Sequence, residues 1–397
     1  MSERRPPTAP SLAALVHQPV TDARGRVAAY TLHDIVPHQR PAPPAELSPA
    51  DEECLDAEYE QTDLASLAAG RPLLLQATRR VLTSDDGGVV ADVPAAQAES
   101  QQVESMVAWR YSHNLPTSVT GFTGTEAEVA LLPRLTMVGI DAAASDNRFG
   151  ELVDLAHSMG VTVVAEQVLT AEGHERAFAL GADLVEGRIL PAGELERGGL
   201  SASEISCLEL FDLLSEDPVD YDAVTGLIAA DPNLTVGALH LVNSAVFALP
   251  EPIDSVRQAV VMIGPRLLRA LASTALNRAD HSGTDELWQI LARALACWNL
   301  ADDDTGYTVG LLSAVSDQRR VDPAWLAQMA GLSASATDAL VLLQGSVGAA
   351  LASVRAHEYG DPRVALGFGI DPRHVSRAWL DALPEARGIA AALTAES

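Results

Sequence analysis

The sequence contains no lysine; all 26 of its basic residues are arginine. Chemistry that needs a side-chain ammonium group is therefore excluded. Cysteine is scarce as well. Cys54, Cys207 and Cys297 stand far apart, match no metal-knuckle spacing and form an odd set, which argues against a disulfide framework. They are expected to be plain buried or half-buried thiols. Basic charge is short overall: 26 basic residues face 54 acidic ones, for a net charge of −28. Such a surface repels phosphate backbones, so no nucleic acid is expected as a partner. No run approaches the roughly 20 continuous apolar residues of a membrane span, and Met1 to Pro10 is polar and Pro-rich without the apolar core of a signal peptide. The expectation is a cytoplasmic protein with no membrane insertion.

With 397 residues and 48% hydrophobic content, two ordinary domains with real cores are within reach. The N-terminal half reads as mixed strands and helices. Leu12–Val16, Leu73–Leu75, Val89–Val93 and Val161–Ala165 have strand length, and helical stretches such as Glu151–Met159 and Ala171–Leu180 separate them. From Arg148 to Pro191 the alternation is clearest. A helix closes at Gly160, a strand follows at once, and a second helix starts near Thr170, closes at Gly181 and leads into Asp183–Val185. Strand–helix–strand alternation implies parallel pairing and an α/β architecture. Pro41–Pro44 reads as a surface connection.

Past Pro191 the pattern changes. Ala192 to Ser203 is rich in Gly, Ser and Glu without a hydrophobic period, and reads as a linker. From Glu204 onward helical spacing dominates: Ile205, Leu208, Phe211 and Leu214, then Val224, Leu227 and Ile228. Asp254-Ser255 caps a helix through Ile263, which Gly264 ends, and Pro265 suits the first turn of the next. Asp322-Pro323 reads as another helix start.

Two family patterns become visible here. Leu234 to Phe247, followed by Pro252 to Gly264, resembles the core signature of HDOD domains, all-helical relatives of the HD phosphohydrolases that lack the metal-binding His-Asp pair. The N-terminal half resembles an EAL domain, the barrel whose active members hydrolyse cyclic di-GMP with divalent metals. His17 to Asp22 with Val27 to Tyr30 is similar to that family's first strand. Val163 to Val168, Leu180 to Asp183 and Glu186-Gly187 are similar to its last two. With Arg355 to Asp361 near the C-terminus, the tandem order resembles EAL–HDOD signalling proteins. The resemblance implies a degenerate TIM-like (β/α) EAL barrel followed by an all-helical HDOD domain. The expected boundaries are a disordered tail at 1–10, the barrel domain at 11–195, a linker at 196–202 and the helical domain at 203–397. That barrel span is short against the roughly 250 residues of a full eight-stranded barrel, so an incomplete one with trimmed or missing peripheral helices is expected.

Metal-assisted phosphodiester hydrolysis needs hard oxygen ligands supplied by the ends of several strands. Carried onto this chain, most positions of the EAL pattern are changed. The glutamate of the signature tripeptide is Thr31, the second-strand asparagine is Gln76, and a glutamate on the next strand is Asp92. The paired aspartates are Thr120 and Gly121. The lysine is Gly139, which leaves Asp141. Glu166 remains, its companion glutamate is Leu169, and Glu186 stands at a usual glutamine. Asp92, Asp141 and Glu166 are the candidate ligand-binding residues. They read either as leftover polar groups hydrogen-bonded at strand ends, or as a residual single-metal or nucleotide site. No catalytic residue, no metal centre and no cofactor is expected.

Other candidates have plain readings. His33-Asp34 spells an HD dipeptide, but lies beside the first strand of the other domain. His240, His281 and His357 show no His-Asp pairing. His240 reads as a core-edge histidine bonded to backbone, and Trp288 and Trp298 read as core packing before partner anchors. Gly121–Gly124 lacks the lysine of a phosphate cradle and reads as a turn. Asn243-Ser244 reads as a helix–helix turn whose side chains cap backbone groups, or else as a ligand contact. The function implied is a non-catalytic signalling protein that binds a protein partner through its HDOD-like domain. The alternatives are a cyclic di-GMP receptor that binds without hydrolysis, with Arg79, Arg80 or Arg188 on the phosphates, and an active phosphodiesterase.

Overall fold

The computed structural model describes residues 14–35, 49–168, 170–188, 202–215, 218–244, 247, 253–277, 284–361 and 364–394. The tail at 1–10, Pro41–Pro44, Leu169, His281 and all of the linker but Ala202 lie outside them. Contacts divide the chain into two units: residues 1–190 with 357–363, and residues 191–356 with 364–397.

The first unit is a closed barrel of eight strands: β1 (Ala14–Thr21), β2 (Val27–Ile35), β3 (Leu73–Gln76), β4 (Val89–Pro94), β5 (Thr117–Thr120), β6 (Met137–Asp141), β7 (Thr162–Glu166) and β8 (Leu184–Glu186). The barrel closes with all eight strands, so the trimming expected from the short span does not reach the sheet. The chain economises on helices instead, for Leu64–Ala68 and Arg79–Thr83 have five residues each and Glu126–Leu131 has six. β1 runs antiparallel to both β2 and β8 and closes the ring, while β2 through β8 pair in parallel. The turn Asp22–Arg26, where Gly25 takes φ +75°, makes the β1–β2 hairpin.

Side chains on a strand alternate faces, so the interior can be read by steps of two. Val20, Ala29, Leu74, Val90 and Val164 form a buried apolar cluster, with Met137 and Leu184 packed against it. Two residues further toward the C-terminal ends of the parallel strands stand Thr31, Gln76, Asp92, Gly139, Glu166 and Glu186, with Gln18 their counterpart on β1. The base of the barrel is fixed by Arg110. It is fully buried, and all five of its N–H groups donate: to the carbonyls of Val81, Ser84, Val89 and Pro116 and to Thr117 Oγ1. Both local stops expected from glycine are present, with Gly160 at φ +74° and Gly181 at φ +97°.

The second unit is helical. Val256–Asn277 is broken at Gly264 (φ +74°, ψ +166°) with Pro265 beginning the second segment, and Ser255 accepts from the first turn, as the sequence indicates. Asp322 Oδ1 caps the helix Pro323–Met329 through Ala324 N–H. Thr284–Ala301 packs against Asp304–Arg319 and Pro372–Thr394. Gly306 and Gly310 allow the first of these approaches, since a Cβ on either would stand 2.8–2.9 Å from a backbone carbonyl oxygen, of Cys297 or Arg293. Fully buried Arg293 pairs with Asp317 at 2.6 Å across it. His240 Nδ1 meets Ala392 O at 3.0 Å, the backbone bond its sequence setting implied. Trp288 is buried with Arg387 over its ring, and Arg266 lies over Trp298. Cys207 and Cys297 are buried and Cys54 half-buried, all as free thiols. One stretch departs from the expected lack of membrane-length apolar segments: Ala334–Glu358 has a mean hydropathy of 1.5 over its best window. It is two helices broken at Leu343, which adopts a left-handed φ of +57°, and half of that window is buried.

Candidate functional site

The layer above the apolar cluster is where the EAL pattern would place its ligands. Here it is a closed polar web. Thr31 donates to Glu186 Oε1 at 2.7 Å, and His33 Nδ1 lies 3.7 Å from the same oxygen. Glu166 accepts from the Thr120 hydroxyl and from Gly121 N–H, the latter at 3.0 Å. Its carboxyl occupies the space over Gly139 where any side chain would begin. The space over Gly139 is thus filled by a glutamate from the neighbouring strand.

Asp92 and Glu166 share this buried layer, and Glu186 is the third acid with them. Burial pushes the Asp92 carboxyl up to about 7, against a hydrogen bond from Ser118 that lowers it, and Glu186 raises it further. Glu166 is driven well above the carboxylate range by burial first, then by the charges of Glu186 and Asp92. Asp141 is paired in register with Glu166, is half-buried, and its Oδ1 accepts Ala143 N–H at 2.7 Å in a tight turn. Glu186 escaped the sequence reading as a candidate because only the barrel register brings it to Thr31.

The remaining polar groups are engaged only in part. Gln76 Oε1 accepts Asp34 N–H at 3.1 Å, which withdraws the one oxygen a metal could use. Asp34 is buried and pushed up to about 7 by desolvation, then by Asp51 and Glu58, so the His33-Asp34 dipeptide is split between two environments. Two side-chain atoms of the layer, Gln76 Nε2 and Asp92 Oδ1, are buried without a hydrogen-bond partner. The glycine-rich turn offers no cradle either: Thr123 and Gly124 N–H both donate to Glu128 Oε2 at 2.7 Å. The donor set does not fit the divalent pair of the active EAL pattern. Among the described residues no three His, Cys, Asp or Glu side chains are grouped to hold a metal ion.

Asn243 is bonded twice to one residue. Its Nδ2 donates to Ile253 O at 2.8 Å and its Oδ1 accepts Ile253 N–H at 2.7 Å. This is the backbone-capping role that its sequence setting suggested.

Residues 204–317 match the HDOD domain family. The chain is 30% identical over 148 residues to the uncharacterized protein YuxH of Bacillus subtilis, a match covering 36% of each. It is 28% identical over 186 residues to the cyclic di-GMP phosphodiesterase CdgJ of Vibrio cholerae, covering 45% of this chain and 43% of that one. These matches span well under half of either curated relative. Among solved structures, Klebsiella pneumoniae BlrP1 with calcium and cyclic di-GMP is 16% identical with a TM-score of 0.36, over 47% of this chain and 56% of that one. The chain thus combines an eight-stranded β/α barrel with a helical unit whose residues 204–317 match the HDOD domain family.

Proposed function

We propose that the chain is a non-catalytic signalling protein of the cytoplasm. In this reading the EAL-like barrel no longer hydrolyses cyclic dinucleotides, and the HDOD domain carries the output by binding a protein partner. The observation that carries the reading is the fate of Glu166. A carboxylate that would serve a metal is folded onto Gly139 and held by Thr120 and Gly121 N–H. Around it a threonine stands at the signature position and an engaged amide on β3. Hard divalent cations need several carboxylate oxygens facing one point, and Glu166 is turned onto Gly139 and bonded to its neighbours instead. Calorimetric titration of the purified chain with Mn²⁺ tests this directly. Weak heats without a saturable site are expected, and two tight sites would overturn the reading.

A second reading has its own support. Gln76 Nε2 and Asp92 Oδ1 face the barrel interior with unmet hydrogen-bonding capacity, and buried polar atoms are seldom left so without a water or a ligand. A barrel that binds cyclic di-GMP without cleaving it would use them. Titration with the dinucleotide decides: a saturable isotherm supports the receptor, and a flat trace at high micromolar concentration removes it.

A further inference from the structure

In the barrel unit the helix Pro49–Gln61 is tied to the turn and helix that follow β3. Thr78 donates to Asp56 Oδ1 at 2.6 Å, and Arg80 pairs with Glu60. Toward the start of both helices this pairing stops. Glu52 and Arg79 line one cavity of about 290 Å³, yet among the described residues neither forms an ion pair or a side-chain hydrogen bond. Glu52 is half-buried and Arg79 exposed. Gln97, Ser100 and Gln102 add three more polar side chains at the entry to the helix Gln101–Ser112. Among the described residues none of the three is engaged, and the Ser100 hydroxyl does not cap the helix it precedes. Much of the remaining lining is apolar: Leu82 and Val103 are buried and Met106 half-buried. The cavity lies outside the ring of strands, for no strand residue and no member of the inner polar layer lines it.

A carboxylate and a guanidinium within reach of each other pair, as Glu60 and Arg80 do. Glu52 and Arg79 come from the same two helices but stand apart around the cavity, so each is open to the complementary end of a ligand that carries both charges. The planar fork of an arginine suits a carboxylate, and a glutamate accepts from an ammonium group. Leu82, Val103 and Met106 suit a short aliphatic or thioether chain, since ligand sites combine apolar walls with a few polar groups that fix orientation. At roughly 30 Å³ for each water-sized group, the volume takes a molecule of about ten non-hydrogen atoms. We propose that this cavity binds a zwitterionic apolar amino acid, with its ammonium on Glu52, its carboxylate on Arg79 and its side chain against Leu82, Val103 and Met106. A ligand with one charge leaves either Glu52 or Arg79 unanswered, and an anion alone is set against Glu52. The bound amino acid ties Pro49–Gln61 to Arg79–Thr83 at the end where their own polar bonds stop.

The test is calorimetric titration of the full chain with L-leucine and, separately, L-methionine. A saturable isotherm is expected for at least one. Its N-acetyl form, which lacks the ammonium, and its carboxamide form, which lacks the carboxylate, are each expected to bind at least about tenfold more weakly. Glu52→Gln and Arg79→Gln should each weaken the unblocked amino acid by about the same factor. The comparison with blocked forms is made on wild type, so it decides even where a variant fails to fold. Flat traces for both amino acids at high millimolar concentration overturn the proposal. So does a blocked form that binds within twofold of its parent, or an affinity within twofold of wild type in either variant.

Discussion

The carboxyl of Glu166 lies where a side chain on Gly139 would have to begin. The two positions are neighbours on β6 and β7, Gly139 pairing with Val164 and Asp141 with Glu166. The missing side chain at 139 and the folded glutamate are therefore one arrangement. Gly139→Ala should evict Glu166 from Thr120 and Gly121 and cost about 1–3 kcal/mol, the range for overpacking a filled core. Gly150, in the helix Asp146–Ser158 with open space at its Cβ, is the control. Gly150→Ala should be neutral or stabilise by about 0.5–1 kcal/mol. Urea denaturation of both variants checks the contrast.

Asp92 gives the barrel a pH dependence of definite sign. Its folded value is about 7 and raised, above the roughly 3.9 of an unfolded aspartate. The folded state then binds more protons than the unfolded one between those values. The stability linked to Asp92 is fully present below about pH 4 and is lost as pH rises to about 7. Asp34, also at about 7, adds in the same direction. Asp92→Asn should flatten part of the fall in the urea midpoint between pH 5 and pH 8. An unaltered slope would show that Asp92 titrates normally.

Asn243 holds Ile253 N–H and O at once. Asn243→Ala leaves both backbone groups without those bonds, at a cost of about 1–3 kcal/mol. Asn243→Asp keeps an acceptor for Ile253 N–H but sets its second oxygen against Ile253 O, so it should also destabilise. Thermal melts of the two variants rank them.

Much of this architecture is legible along the chain wherever the signal is local. Gly160, Gly181, Gly264-Pro265 and Asp322-Pro323 end or begin helices where their backbone preferences say they should. Closure of the barrel is not local. β5 has four residues and β8 three, too short to stand out by periodicity, and β1 finds β8 across more than 160 positions. The acid cluster is hidden for the same reason. Asp92, Glu166 and Glu186 come together only through strand register, and nothing in their spacing marks them out from Asp141, whose Oδ1 accepts Ala143 N–H. Nor does sequence separation suggest that Glu358 reaches Arg188, 170 residues earlier.

Turnover of cyclic di-GMP is the most direct measurement of the central claim. The purified full chain, incubated with the dinucleotide and excess Mn²⁺ or Mg²⁺, should leave it intact, because Glu166 is folded onto Gly139 and bonded to Thr120 and Gly121 inside the barrel. Release of a linear dinucleotide at a rate that scales with protein and stops with chelator would contradict it.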